Sequence, residues 1–181
     1  MMNLTVGNTQ KIIDSWRGDL RQLAYMLATA YHETAGTMLP IKEYGGKNPD
    51  IYFHKMYDPE SPDPSRAKLA KKMGALAGDG VMFYGRGYVQ ITWRPNYVKF
   101  EKLLAKDFTS SIKAADRLLD HDIALFTMAH GMQNGSFTGK KLSDYINDTK
   151  TDYVGARRII NGTDCAQKIA DLAAEYYRLL G

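Results

Sequence analysis

Residues 20–34 read LRQLAYMLATAYHET, and this stretch decides the expected fold. Apolar side chains recur at i, i+3, i+4, i+7 and i+11, the spacing of one face of an α-helix. These side chains are Leu20, Leu23, Ala24, Leu27 and Tyr31. Asp19 can cap the start of the helix, and Gly36 is placed to end it after about Thr34. The stretch therefore predicts a long amphipathic helix.

An irregular region follows this helix. Residues 44–65 contain the turn-forming sequences Gly45-Gly46, Asn48-Pro49, Asp58-Pro59 and Ser61-Pro62-Asp63-Pro64. Such pairs are typical of turns and loops. The region is therefore expected to be a hairpin or a long excursion, not a helix.

Residues 84–93, YGRGYVQITW, carry a different pattern. From Tyr88 onward the side chains alternate, with Tyr88, Gln90 and Thr92 on one side and Val89, Ile91 and Trp93 on the other. This period of two predicts a short, half-buried strand with a polar face.

The remaining patterns are helical. Pro95 suits the first turn of a helix, and further helices are expected near residues 112–120, 122–132, 141–147, 152–160 and 164–180. The chain is thus expected to be mainly α (α+β), with a small sheet inserted after the first long helix. A length of 181 residues, 44% of them hydrophobic and 24% charged, suits one globular domain covering residues 1–181.

Composition limits the partners and the compartment. The net charge of +4 mildly favours a polyanionic partner, such as nucleic acid or an acidic cell wall. Basic doublets, such as Lys71-Lys72, Lys140-Lys141 and Arg157-Arg158, are more typical of a solvated surface. Cys165 is the one cysteine, so no intramolecular disulfide can form. No secretory signal and no apolar run of about 18–20 residues stands out, which favours a reducing cytoplasm.

Glu33 is the first candidate for chemistry. It lies off the centre of the apolar stripe and in the last helical turn, where the helix macrodipole disfavours a carboxylate. A partly buried carboxyl group that keeps its proton is what a general acid needs at neutral pH. The alternative is an ordinary surface glutamate.

Glu43 is the second carboxylate, and the turn expected at Gly45-Gly46 could fold it back across a cleft. Two carboxyl groups facing a groove are the minimum that glycoside hydrolysis requires. The Thr92 hydroxyl could hold an attacking water, and the Gln90 amide could bind a sugar hydroxyl. Gly85 and Gly87 could admit a ligand close to the backbone or simply form a turn.

Metal and cofactor motifs are not expected. His32-Glu33 would need a second histidine at position 36 to form a zinc motif, and that position is Gly36. His54, His121 and His130 have no recognisable ligand spacing. Gly85-Arg86-Gly87 lacks the third glycine of a dinucleotide loop.

Three segments, in the right order, resemble glycoside hydrolase family 19. Residues 30–36, AYHETAG, resemble its His-Glu-Thr segment. Residues 84–92, YGRGYVQIT, resemble its Tyr-Gly-Arg-Gly-x-x-Gln-x-Ser/Thr strand, which Asn96-Tyr97 continues. Residues 157–162, RRIING, are similar to its Ile-Asn-Gly stretch. Together they frame the chain from about residue 20 to residue 180.

The resemblance implies a lysozyme-like, two-lobed helical domain with a small β-hairpin insertion and no separate wall-binding module. The chain looks like the phage endolysin branch, because it is short and lacks the cysteines of the plant-type chitinases. The resemblance implies inverting hydrolysis of β-1,4 bonds in peptidoglycan, with Glu33 as general acid, Glu43 as general base and Thr92 positioning water. Inversion requires carboxyl groups about 6.5–9.5 Å apart, and we expect that separation or a larger one.

The same resemblance implies a set of residues that bind sugars. They are His32, Tyr84, Gln90, Asn96, Asn161 and Arg178. We expect a monomer without cofactor, nucleic acid or stable membrane insertion. It would be made in the host bacterial cytoplasm and reach the cell wall after a separate membrane-lesion protein opens the inner membrane.

Several alternatives stay open at this point. A chitinase would use the same carboxylates on the same backbone of β-1,4-linked N-acetylhexosamine. A lytic transglycosylase needs one acid and releases anhydro sugars. A catalytically inactive wall-binding protein or a basic nucleic-acid protein would need neither carboxylate.

Overall fold

The structure is a computed structural model that describes residues 3–181. Met1 and Met2, the first residues of the expected domain, lie outside that range. About 53% of the chain is helical. Eight α-helices form within residues 3–181: α1 Thr9–Ser15, α2 Leu20–Glu33, α3 Pro49–Tyr57, α4 Pro64–Lys72, α5 Arg94–Leu104, α6 Ile112–Ala115, α7 His121–Asn134 and α8 Ala166–Leu180. The strands of the described part are β1 Ile41–Lys42, β2 Arg86–Gly87, β3 Ile146–Asn147 and β4 Lys150–Thr151.

The expected fold class, mainly α with a small β insertion, is confirmed. β1 pairs with β2 and β3 pairs with β4, both antiparallel. The chain forms two compact units. Of the described residues, one unit consists of residues 3–39 and 124–181, and the other of residues 40–123.

The first unit is built around α2. Asp19 accepts a hydrogen bond from the Arg21 N–H, so the predicted cap is confirmed. Eight consecutive side chains, residues 23–30, are buried, so α2 is covered on all sides rather than along one stripe. It packs along α8. Gly36, with φ of 81°, donates to the Tyr31 carbonyl at 2.7 Å and ends the helix where the sequence predicts.

In the second unit, the predicted strand from Tyr88 onward is wrong. Pairing stops at Gly87, where a φ of 87° turns the chain, and Gln90 is also left-handed with φ of 53°. Arg86 and Ile91 exchange both backbone hydrogen bonds, at 2.8 and 3.2 Å, and close a tight loop. Tyr88, expected on a polar face, is fully buried and its hydroxyl lies 2.7 Å from His121 Nδ1.

The expectation that residues 44–65 hold no helix is also wrong. Pro49 and Pro64 each stand in the first turn of a helix, where a missing N–H costs nothing. The Asp63 carboxylate accepts the N–H groups of Ser65 and Arg66 and caps α4. These prolines begin helices rather than interrupting them.

Some of the other helical predictions are confirmed, and some are not. Helices after Pro95, at residues 122–132 and at 164–180 are confirmed as α5, α7 and α8, whereas α1 is not predicted. The helix predicted at residues 112–120 is α6 followed by a 3₁₀ turn at Asp116–Leu119. The helices predicted at residues 141–147 and 152–160 are instead 3₁₀ turns at Leu142–Asp144 and Gly155–Ile159. No helix within residues 3–181 has the length and apolarity to cross a bilayer.

Candidate functional site

Glu33 is the last residue of α2, and its side chain is 17% exposed. It is therefore neither a freely solvated surface glutamate nor sealed in the core. Its Oε1 accepts a hydrogen bond of 2.7 Å from Arg157 Nη1. This ion pair holds the carboxylate at one oxygen, and no other hydrogen bond to it is formed by the part of the chain that the structure describes.

Arg157 is itself fixed by the backbone around it. It lies in the 3₁₀ turn Gly155–Ile159, and only 4% of its side chain is exposed. Its Nε donates to the Asp164 carbonyl at 2.9 Å, and its carbonyl accepts the Asn161 N–H at 3.0 Å. The expectation of a solvated Arg157-Arg158 doublet is wrong for Arg157, while Arg158 is exposed.

His32, Asn161 and Arg178 belong to the same unit as Glu33. His32 is half-buried, and burial lowers its pKa. The charge of Glu33 raises the pKa of His32, and the charge of Arg157 lowers it. Asn161 is exposed, and its Oδ1 accepts the N–H of the next residue. Arg178 is exposed in the last turn of α8, and the guanidinium that contacts Glu33 is that of Arg157. The sugar-binding roles of these three residues stay predictions.

Glu43 follows β1 in the second unit, and its carboxylate is tightly hydrogen bonded. The Tyr57 hydroxyl lies 2.8 and 2.7 Å from its two oxygens, and the Tyr52 hydroxyl donates to Oε1 at 3.2 Å. The Gly85 N–H donates to Oε2 at 3.2 Å. A backbone hydrogen bond of 2.8 Å from the Glu43 N–H to the Gly85 carbonyl holds the residue itself. The carboxylate is thus fixed by groups from α3 and from the loop before β2.

The two tyrosines depend on Glu43 in turn. Burial raises the pKa of Tyr57, and the negative charge of Glu43 raises it further. Burial and Glu43 raise the pKa of Tyr52 as well. Both phenols therefore keep their protons and act as donors to the carboxylate. Trp93 packs edge-on against the Tyr57 ring at 5.2 Å and restricts its position.

Gly85 is the position where the backbone and two candidate side chains crowd together. A Cβ there would lie 2.7 Å from Gln90 Oε1 and 3.2 Å from Glu43 Oε2. Only glycine leaves room for both groups. The Gln90 amide nitrogen donates to the carbonyls of Ile41 and Gly87, at 3.2 and 3.1 Å, so its N–H groups are directed to the backbone.

Thr92 lies between two residues with unusual backbone angles. Gln90 has φ of 53° and Trp93 φ of 74°, and such conformations cost about 1–3 kcal/mol each and concentrate at functional sites. The Thr92 hydroxyl donates to the Gln90 carbonyl at 2.9 Å, which leaves its oxygen lone pairs as acceptors. Asn96 Nδ2 donates to the Thr92 carbonyl at 2.9 Å. Gln90, Thr92 and Asn96 are thereby linked by hydrogen bonds, while Glu43 is bonded to Gly85.

Tyr84 packs between an aromatic ring and a guanidinium group. It is 8% exposed, its ring stacks on Phe53 at 3.8 Å, and the Arg86 guanidinium carbon lies 3.9 Å from its centroid. Arg86 is fully buried and donates to Asp116 Oδ1, at 2.8 Å, and to the Tyr97 hydroxyl. The sugar contact of Tyr84 stays a prediction, and Arg86 of the same segment contributes its side chain to the core.

Sequence reasoning identified the carboxylates but missed Arg157, Tyr52 and Tyr57, which hold them. Arg157 had one available signal, since it is the first residue of the segment 157–162 that contains the Ile-Asn-Gly stretch. Among residues 3–181, no three His, Cys, Asp or Glu side chains come together as a metal-binding group. Comparison with protein-family models, with curated proteins and with solved structures finds no match to this chain.

Proposed function

We propose that this protein is a peptidoglycan-cleaving glycoside hydrolase of the endolysin type, acting by inverting general acid/base catalysis. The observation that carries the proposal is the immobilisation of the two carboxylates that the sequence analysis singles out. Glu33 is held by the buried Arg157, and Glu43 is held by two tyrosine hydroxyls and a backbone N–H. Ordering a long side chain costs conformational entropy, and these hydrogen bonds offset that cost for both carboxylates.

In the proposed reaction, Glu33 protonates the glycosidic oxygen as the bond to the anomeric carbon breaks. The neighbouring Arg157 stabilises the carboxylate that remains after proton donation. One oxygen of Glu33 lacks a protein hydrogen bond within the described residues and is the one that carries the proton.

Glu43 takes a proton from the attacking water, whose oxygen adds to the anomeric carbon with inversion. The second water proton is directed to the lone pairs of the Thr92 hydroxyl. Two tyrosine donors and an N–H keep the Glu43 carboxylate in one orientation throughout, which lowers the entropy cost of aligning water. The anionic carboxylate also stabilises the oxocarbenium-like transition state.

The test compares E33Q, E43Q and the control E60Q, because Glu60 is an exposed glutamate of the same chain. Purified peptidoglycan and chitin oligomers are digested in parallel. We expect E33Q and E43Q to lose about 10²–10⁴-fold in rate and E60Q to keep the wild-type rate. Clearing of peptidoglycan by E33Q near the wild-type rate would refute the assignment, and preferential cleavage of chitin would make the protein a chitinase.

A further inference from the structure

The net positive charge of the protein is concentrated in one short segment. Residues 64–78, PSRAKLAKKMGALAG, contain four basic residues and no acidic residue. The whole chain has 24 basic and 20 acidic residues, so the other residues carry twenty of each and are balanced.

The fold places most of these charges in solvent. The segment comprises α4 and the turn after it. Lys68, Lys71 and Lys72 are exposed, while Ala70 is buried and turns the opposite side of the helix inward. α4 packs against α3. The outer side of α4 is therefore lysine-rich.

Large apolar side chains stand beside the lysines. Leu69 is 37% exposed, Met73 36% and Leu76 59%. Leu69 and Met73 are four residues apart and so lie on one flank of the helix. The α4 surface, defined as Lys68, Leu69, Lys71, Lys72, Met73 and Leu76, thus combines a cationic face with an apolar flank.

We propose that the α4 surface binds the anionic phospholipid surface of a membrane peripherally. Lysines near a bilayer are attracted to anionic headgroups, and neighbouring apolar side chains enter the boundary between headgroups and acyl chains. A soluble polyanion would pair with the lysine charges but would leave Leu69, Met73 and Leu76 in water. The apolar flank therefore favours lipid over a phosphate polymer. This inference does not depend on the glycan-cleaving activity.

The experiment measures sedimentation of the full chain with vesicles of phosphatidylglycerol and phosphatidylcholine, and with vesicles of phosphatidylcholine alone. Wild-type protein binds the anionic vesicles and not the neutral ones. K68E/K72E binds at least about 25-fold more weakly, since each lysine contributes about fivefold. The matched control K11E/K140E changes the net charge by the same amount at two exposed lysines elsewhere and keeps most of the binding. Equal losses in both variants would overturn the proposal.

A second variant separates lipid from a soluble polyanion. L69S/L76S keeps all four basic residues. Both positions are exposed, so we expect the variant to fold, and circular dichroism checks this. We expect about tenfold weaker vesicle binding, because the apolar contribution is lost, and unchanged binding to soluble polyphosphate. If L69S/L76S binds vesicles as tightly as wild type, the surface recognises phosphate charge only and the lipid proposal is wrong.

Discussion

Arg157 and Glu33, separated by 124 residues in the sequence, form an ion pair of 2.7 Å in which the arginine side chain is 4% exposed. The pair joins the end of α2 to the 3₁₀ turn that precedes α8. Because the guanidinium is also held by the Asp164 carbonyl, it acts as a rigid support for the carboxylate. A residue that had only a solvent-facing charge would not constrain Glu33 in this way.

We expect R157K to reduce the rate of peptidoglycan cleavage by about 100-fold. Lysine keeps the charge but cannot bind Glu33 and the Asp164 carbonyl together, as the guanidinium does. Loss of this support misplaces the reacting oxygen, and small misplacements cost about that much. R158K is the control, since Arg158 is exposed. Equal rates for R157K and wild type would show that the ion pair does not position Glu33.

We expect Y57F to reduce turnover by about tenfold or more, and Y52F to reduce it less. The Tyr57 hydroxyl reaches both Glu43 oxygens at 2.8 and 2.7 Å, whereas Tyr52 reaches one at 3.2 Å. Each change removes one hydroxyl and keeps the ring, so stability falls by only about 1 kcal/mol. Steady-state kinetics and thermal unfolding measure the two effects. A larger loss in Y52F than in Y57F would contradict this ranking.

We expect G85A to lose activity while it remains folded. The new Cβ would lie within 3.2 Å of Glu43 Oε2 and closer still to Gln90 Oε1, and both groups are ends of flexible side chains that can move away. The Glu43 carboxylate then leaves the position fixed by its tyrosine donors. Cleavage rate and melting temperature are measured together. Full activity in G85A would show that this position of Glu43 is not needed for turnover.

We expect D116N to destabilise the protein by about 2–3 kcal/mol at pH 7, because it leaves the buried Arg86 without its carboxylate. Burial opposes the ionised form of Asp116, yet hydrogen bonds from Lys42 and Arg86 prevail and lower its pKa. A lowered folded-state pKa contributes stability above the unfolded pKa of about 4, and this contribution is lost as the pH falls through the folded value.

The difference between wild type and D116N should therefore shrink between pH 7 and pH 2. Urea unfolding at several pH values measures it. A difference that stays constant or grows on acidification would contradict the assigned role of the Asp116 carboxylate.

Local signals predicted the parts of the fold that local interactions decide. The Asp19 cap and the stop at Gly36 set the limits of α2, and both are read from adjacent residues. Pro49 and Pro64 misled the prediction, because the same residue that breaks a helix interior is favoured in its first turn. The left-handed Gln90 could not be foreseen, since its conformation is stabilised by the closed loop from Arg86 to Ile91.

The sequence likewise predicted some residues of the candidate site and not others. Glu33 and Thr92 were selected by local motifs and Glu43 by its place before a predicted turn, and each is found partly buried. Their supports are distant in sequence or untypical of a motif, as with Arg157 for Glu33 and Tyr57 for Glu43. Such partners are brought together by tertiary packing, which periodicity and spacing do not encode.

The most direct test of proton donation by Glu33 is mass spectrometry of the fragments released from purified peptidoglycan in ¹⁸O-labelled water. Wild-type protein should release reducing-end fragments that carry one labelled oxygen per cleaved glycosidic bond, and E33Q should release almost none. Unlabelled anhydro fragments from the wild type, or labelled fragments from E33Q at the wild-type rate, would contradict hydrolysis with Glu33 as the acid.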